Sequence, residues 1–276
     1  SMGALFNRTE KTLNTMNRME KYRGHFYNWY DTESLKPLEP LYISSVDSGN
    51  LAGHLLVLRS GLMEMPGNKI VSLKIFDGLS DTLNVLRKIP GMPERIENLR
   101  EKLRARPAGL SETYSLLRRL SADISLILPG QKWALAFERQ CYDYIEDMSF
   151  IAPWILLPPE IPGMWDKGDK KQKERLIRLR EELRRLDEIP ALKEAAMLEM
   201  KILPLIDEIT GNIVLSDDNS AREKDWFIRL GNAIKETSAR SSERIKAIEN
   251  MALRCGEFSG IEYEFLYNKS SRMLSI

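Results

Sequence analysis

Residues 171–189 read KQKERLIRLREELRRLDEI. Leu176, Leu179, Leu183 and Leu186 recur at steps of three, four and three. That is the period of an α-helix, and it puts all four on one stripe. A strand would need alternation at every second residue. Glu174 and Arg178, and Glu181 and Arg185, stand four apart, where opposite charges meet across one helical turn. A helix over Lys170 to Ile189 is therefore expected. A leucine seam of this kind needs other helices to cover it, so an antiparallel bundle or hairpin follows. The seam is read as core within one chain in preference to a zipper between chains.

The same periodicity extends outward. Helices are expected over Glu94–Arg104, Ser111–Leu128, Trp133–Asp147, Ala191–Ile209 and Ala221–Leu253. Nearer the start, residues 9–23 read as a helix capped by Thr9. Leu13, Met16 and Met19 share a face, and Gly24 ends it. Phe26–Asp31 reads as short extended chain, and Pro37 and Pro40 stiffen the following loop. Asp47 or Ser48 then caps a helix to about Arg59, with Leu51, Leu55 and Leu58 inward. Lys69–Lys88 forms another helix, closed by Pro90-Gly91. Trp154–Trp165 (WILLPPEIPGMW) is an apolar, proline-rich connector. Gly211–Ser220 is a loop, and Glu262–Tyr267 a strand or the approach to a further helix.

The 276 residues suffice for one large domain or two small ones, and 43% hydrophobic residues supply a core. A charged fraction of 29% points to a soluble chain. The net charge of +1 gives no long-range attraction to nucleic acid or an anionic membrane. The basic stretches Lys167–Arg185 and Arg240–Lys246 are interleaved with glutamate and read as solvated faces. Phe150–Leu157, the longest apolar run, holds Pro153 and falls far short of the roughly 20 residues of a membrane span. Cys141 and Cys255 form no disulfide framework. They read as buried thiols in a reduced compartment. Ser1-Met2 reads as a cloning remnant, not a signal peptide.

Against this helical background, residues 22–55 stand apart: YRGHFYNWYDTESLKPLEPLYISSVDSGNLAGHL. Tyr22, Phe26, Tyr27, Trp29, Tyr30 and Tyr42 are set among Asn28, Asp31, Asp47, Ser48 and Asn50. Aromatic faces beside short hydrogen-bonding groups suit a pyranose, which offers apolar C–H faces and hydroxyls needing oriented partners.

The strings GHFYNWYD (24–31) and VDSGNLAGHL (46–55) resemble the start of the glycoamylase-like region of bacterial cyclic β-1,2-glucan synthases. FLYN (265–268) followed by RMLSI (272–276) is similar to a later part of that region. The resemblance implies an all-α fold. Residues 1–91 would supply the opening helices and loops of an (α/α) barrel. Residues 92–251 would be an inserted antiparallel helical bundle, and 252–276 the lead-in to the truncated remainder. It further implies a parent that extends a linear glucan from UDP-glucose and closes the ring by retaining transglycosylation. Catalytic glutamates would lie beyond the RMLSI string, so no residue here is assigned a catalytic role and the fragment alone would be inactive. Substrate binding would fall to Asn28, Trp29, Tyr30, Asp31, Asp47 and Asn50. Trp29 would stack, and Asp31 and Asp47 would accept bonds from hydroxyls. The partners implied are a β-glucan chain and neighbouring domains of the parent. That parent would be a bacterial inner-membrane protein with this region on the cytoplasmic side. No cofactor or metal is expected.

Competing readings exist for each feature. The FYNWYD segment also suits an aromatic plug closing a barrel end, with Phe26 and Tyr27 in the core. Asp47, supported by Asn50, also suits a helix cap. Asp-Ser-Gly is the triplet of aspartic proteases, but those need two copies on β-rich lobes. His25 and His54 have no neighbouring ligand pattern for zinc and read as packing or hydrogen-bonding residues, His25 being the better functional candidate. Glu138, Asp143, Glu146 and Asp147 have a spacing ordinary for a helix surface. At the level of the chain, two rivals stand beside the synthase fragment. One is a non-catalytic carbohydrate-binding or scaffolding module. The other is a helical protein-interaction domain carried by the bundle and the WILLPPEIPGMW connector. Apolar surface left uncovered by part of a barrel would also favour a homodimer.

Overall fold

The computed structural model describes residues 2–88, 93–104, 106–158, 160–161, 163–166, 168–213 and 218–275. Among these the fold is all-α, with ten α-helices and two small hairpins. The chain divides into two compact units. One takes 67–243 with Met2, and the other takes 3–66 with 244–275.

The smaller unit opens with α1 (Met2–Arg18), which runs earlier than expected and leaves Thr9 inside it. A hairpin, β1 (Lys21–Tyr22) and β2 (His25–Phe26), follows. Lys21 pairs with Phe26 and Tyr22 with His25. Gly24 therefore turns a hairpin and does not end the helix. Arg23 at φ 51° and Gly24 at φ 87° give the two positive dihedrals that a tight two-residue turn requires. Helix α2 (Ser45–Glu64) is capped by Ser44, whose hydroxyl accepts from the backbone N–H of Asp47 at 3.1 Å. The expected cap at Asp47 or Ser48 is thus displaced, because Ser44 comes first with extended backbone and a free oxygen. Leu55 is buried on α2, Leu51 is half-buried and Leu58 is exposed, so the inward face turns toward Leu55 and Leu62 instead.

The larger unit holds α3 (Ile75–Leu86), α4 (Pro93–Arg104), α5 (Leu110–Ile127), α6 (Lys132–Ile151), α7 (Lys170–Asp187), α8 (Leu192–Ala196), α9 (Leu198–Gly211) and the start of α10 (Asp218–Ser259). Residues from Arg244 onward in α10 count with the smaller unit. The Lys69–Lys88 helix is shorter than its pattern, since Lys69 is drawn into a bridge with Ala191 and Ile70 N–H donates to Pro190 O. Pro90-Gly91 and part of the 211–220 loop lie outside the described residues.

Two cores fill this unit. Phe76, Leu79, Leu83, Leu99, Leu117, Leu120 and Phe137 knit α3 through α6. The short link between α5 and α6 makes those neighbours an antiparallel hairpin. The second core takes Leu176, Leu179 and Leu186 from α7, Ile202 and Ile206 from α9, and Trp226, Phe227 and Leu230 from α10, with Leu183 packed against it. The leucine seam is intramolecular. The end of the connector joins this core: Met164 and Trp165 are buried, and Trp165 sits edge-on to Trp226 and Phe227 at 6.1 and 6.0 Å, while Leu156 stays exposed. Arg185 pairs with Glu182, and Arg175 reaches Glu208 on α9.

The single helix expected over 191–209 is broken between α8 and α9. The hydroxyl of Ser238 on α10 accounts for it. It donates to Ala195 O at 3.2 Å and accepts from Glu199 N–H at 2.8 Å, the two groups a continuous helix would bond to each other. A second side chain acts across elements at Gly109, the residue before α5, which has no side chain to cap it. Asp187, at the end of α7, accepts from Ser111 N–H at 2.8 Å instead. A methyl group on Gly109 would collide with the Asp187 carboxylate. Gly109→Ala is therefore expected to cost about 1–3 kcal/mol by forcing that carboxylate away, read as a lowered denaturation midpoint.

Candidate functional site

Within the smaller unit, the segments carrying Asn28–Trp29 and Tyr42–Asp47 lie side by side. Backbone Asn28 N–H donates to Tyr42 O at 3.0 Å. The Asn28 side chain ties both ends of that strip. Its Oδ1 accepts from Ser44 N–H at 3.1 Å, and its Nδ2 donates to Asp47 Oδ2 at 2.9 Å. Two of the nominated residues, nineteen positions apart, are thus brought into one hydrogen bond. Asp47 is exposed and Asn28 half-buried, and beyond these bonds Asp47 Oδ1 has acceptor capacity and the Asn28 amide a second N–H to offer a ligand.

Trp29 is 51% exposed, a large value for tryptophan. Its ring lies against Tyr42 with centroids 5.7 Å apart and planes 30° from parallel. Trp29 is the exposed member of the pair and Tyr42, half-buried, backs it, next in sequence to the Asn28–Asp47 contact. Tyr42 stood out as an aromatic in the sequence without being nominated. Its position just before the α2 cap is what brings it to Trp29, and no local pattern announces that.

The other nominated residues are placed differently. The Tyr30 hydroxyl is engaged twice, donating to Glu20 O at 2.7 Å and accepting from Tyr27 N–H at 2.9 Å. Burial pushes its pKa above the ordinary tyrosine value. Asp31 Oδ1 organises a turn, accepting from Ser34 N–H and Oγ–H at 2.7 Å each and from Glu33 N–H at 3.2 Å. Those bonds from Ser34 hold its carboxyl below the usual aspartate range. Asn50 is exposed on α2, three residues beyond Asp47. Phe26 and Tyr27 are half-buried, and Phe26 meets Phe258 edge-on at 6.1 Å.

His25 is fully buried and both ring nitrogens are engaged. Packing or hydrogen bonding is the expectation for both histidines; His54 does not pack but is exposed on α2, about 100° around the helix from the buried Leu55. Among the described residues no cluster of three or more His, Cys, Asp or Glu is placed to hold a metal ion. Both cysteines are buried, and burial drives the Cys141 thiol up to about 12. No described helix is long and apolar enough to cross a membrane.

No family model matches the chain. Comparison with known proteins nevertheless supports a relationship to the enzymes that synthesise cyclic β-(1,2)-glucan. The relative is the cyclic β-(1,2)-glucan synthase NdvB of Rhizobium meliloti (strain 1021), 38% identical over 117 residues. The match takes 41% of this chain and 4% of the relative, so the chain spans a small part of that protein's length.

Proposed function

We propose that residues 22–55 form part of the glucan-binding wall of a glycoamylase-like transglycosylation domain, in a protein that makes cyclic β-1,2-glucan. The observation that carries this reading is the exposed Trp29 ring, backed by Tyr42, beside the Asn28–Asp47 pair. A pyranose ring can lie its C–H face on the two rings. The free Asp47 oxygen and the free Asn28 N–H then meet adjacent hydroxyls as acceptor and donor. A β-1,2-linked glucose keeps its 3- and 4-hydroxyls free as a neighbouring pair. Interior residues of a β-1,3-glucan do not. On this reading Trp29, Tyr42, Asn28 and Asp47 contact sugar. Asn50 lies one turn farther along the same wall, while Tyr30 and Asp31 shape the loop.

In the parent this region would belong to an (α/α) barrel whose catalytic carboxylates come from elsewhere, on the cytoplasmic side of a bacterial inner membrane. The apolar outer face of α2 supports packing against another part of that parent. Val57 is exposed there and, with Leu5, Phe6, Leu58, Leu62 and Met65, lines a groove of about 370 Å³.

The test is a titration with linear β-1,2-glucan followed by tryptophan fluorescence, with products read by mass spectrometry. Saturable binding with unchanged glucan is expected. A flat titration sinks the sugar-wall reading and leaves a helical interaction domain. Asp47→Ala is expected to weaken binding about tenfold, since one charged hydrogen bond contributes roughly 1.5 kcal/mol. Its folding stability should change little, because Ser44 still caps α2.

A further inference from the structure

We infer that His25 is a positioning residue for this site: it holds the first turn of α2, and with it Asp47, in register with the Asn28–Trp29 loop. The inference rests on the sugar-wall reading for its consequence, but its geometry stands by itself. His25 lies on β2 with no exposed surface. Its Nε2 is 2.6 Å from Glu262 O, a carbonyl that can only accept, so Nε2 carries the proton. In the neutral ring Nδ1 is then an acceptor, and it accepts a hydrogen bond from the Ser48 hydroxyl at 2.7 Å. Ser48 is itself buried and is the residue after Asp47 in the first turn of α2. Tyr263 and Phe265 stand edge-on to the imidazole, each with its centroid 5.2 Å away, and fix its plane.

The ring therefore joins three segments distant in sequence: the hairpin, the α2 N-terminus and the 262–265 stretch. From Ser48 the restraint passes through one peptide to Asp47, and from Asp47 Oδ2 to the Asn28 amide. Ser44 fixes the end of the helix along its axis. The bond from Ser48 fixes its rotation, and that rotation aims Asp47 at Asn28.

Two substitutions separate the functions of the ring nitrogens. In His25→Asn the amide oxygen sits where Nδ1 was and can accept from Ser48, while Glu262 O loses its donor. In His25→Gln the amide nitrogen sits where Nε2 was and can donate to Glu262 O, while Ser48 loses its acceptor. Each removes one hydrogen bond of a ring that has no exposed surface, so both are expected to lower the melting temperature. The Asn28 side-chain amide resonances report the contact with Asp47 whether or not glucan binds. They are expected to stay in place in His25→Asn and to shift in His25→Gln. The Kd for linear β-1,2-glucan should stay near that of the unsubstituted chain in the first and rise roughly tenfold in the second. Ser48→Ala, which leaves His25 untouched, should reproduce His25→Gln. Equal Asn28 resonances in His25→Asn and His25→Gln, or an unshifted Asn28 amide in Ser48→Ala, would overturn the inference. If the unsubstituted chain fails to bind glucan, the sugar-wall reading falls, and the amide comparison still decides the part played by His25.

Discussion

Phe137→Ala is expected to lower the stability of the larger unit by about 3–5 kcal/mol, the usual cost of emptying a fully enclosed phenylalanine site. Phe137 sits on α6 with no exposed surface, among core residues drawn from α3, α4 and α5. Its neighbours are held by their own helices and can collapse only partly into the space, so the cavity term adds to the lost burial. The measurement is the free energy of chemical unfolding followed by circular dichroism. A loss below about 1 kcal/mol would mean that the α3–α6 core is loosely packed at Phe137. Phe137→Leu keeps more of the volume and should recover much of the loss.

Trp29→Ala is expected to weaken binding of linear β-1,2-glucan by about 2 kcal/mol, roughly thirtyfold in Kd. The indole is half-exposed and leans on Tyr42, so it is presented before any ligand arrives and little ordering is needed on binding. Folding should be almost unaffected, for the same reason. Tyr30→Phe is the informative contrast. Its hydroxyl is committed to Glu20 O and Tyr27 N–H, so its loss should loosen the loop without removing a sugar contact. An unchanged Kd in Trp29→Ala would make the indole a plug or an inert surface group.

The helices of the larger unit were legible because each writes its own burial in a period of 3.6. Leu176, Leu179 and Leu186 needed no partner to be recognised. What the pattern could not carry were effects imposed by a second element. The break at Met197 depends on Ser238, on another helix far along the chain, entering the hydrogen-bond ladder. The α2 boundary depends on which of several hydroxyl and carboxyl residues reaches the first free N–H groups, and Ser44 precedes the two expected from the motif. At the candidate site, residue types were readable and pairings were not. Asn28 and Asp47 were each recognisable as polar groups in an aromatic block, yet nothing local says that one bonds the other. Tyr42 becomes relevant only through its ring contact with Trp29, which the fold supplies.

The bond from Asp187 to Ser111 has a consequence for the order in which the larger unit assembles. Helix α5 begins after a glycine, which offers no side-chain acceptor to the free N–H groups of the first turn. The missing acceptor arrives seventy-six residues later in the chain, at the end of α7. As the chain emerges from a ribosome, α5 is made before the residue that accepts from Ser111 N–H, and that bond forms only once the end of α7 has docked. That late closure belongs to the non-local contacts that slow a fold and bind its parts into one cooperative transition. A chain interrupted between α6 and α7 would thus keep the α3–α6 core residues and still lack the finished end of α5.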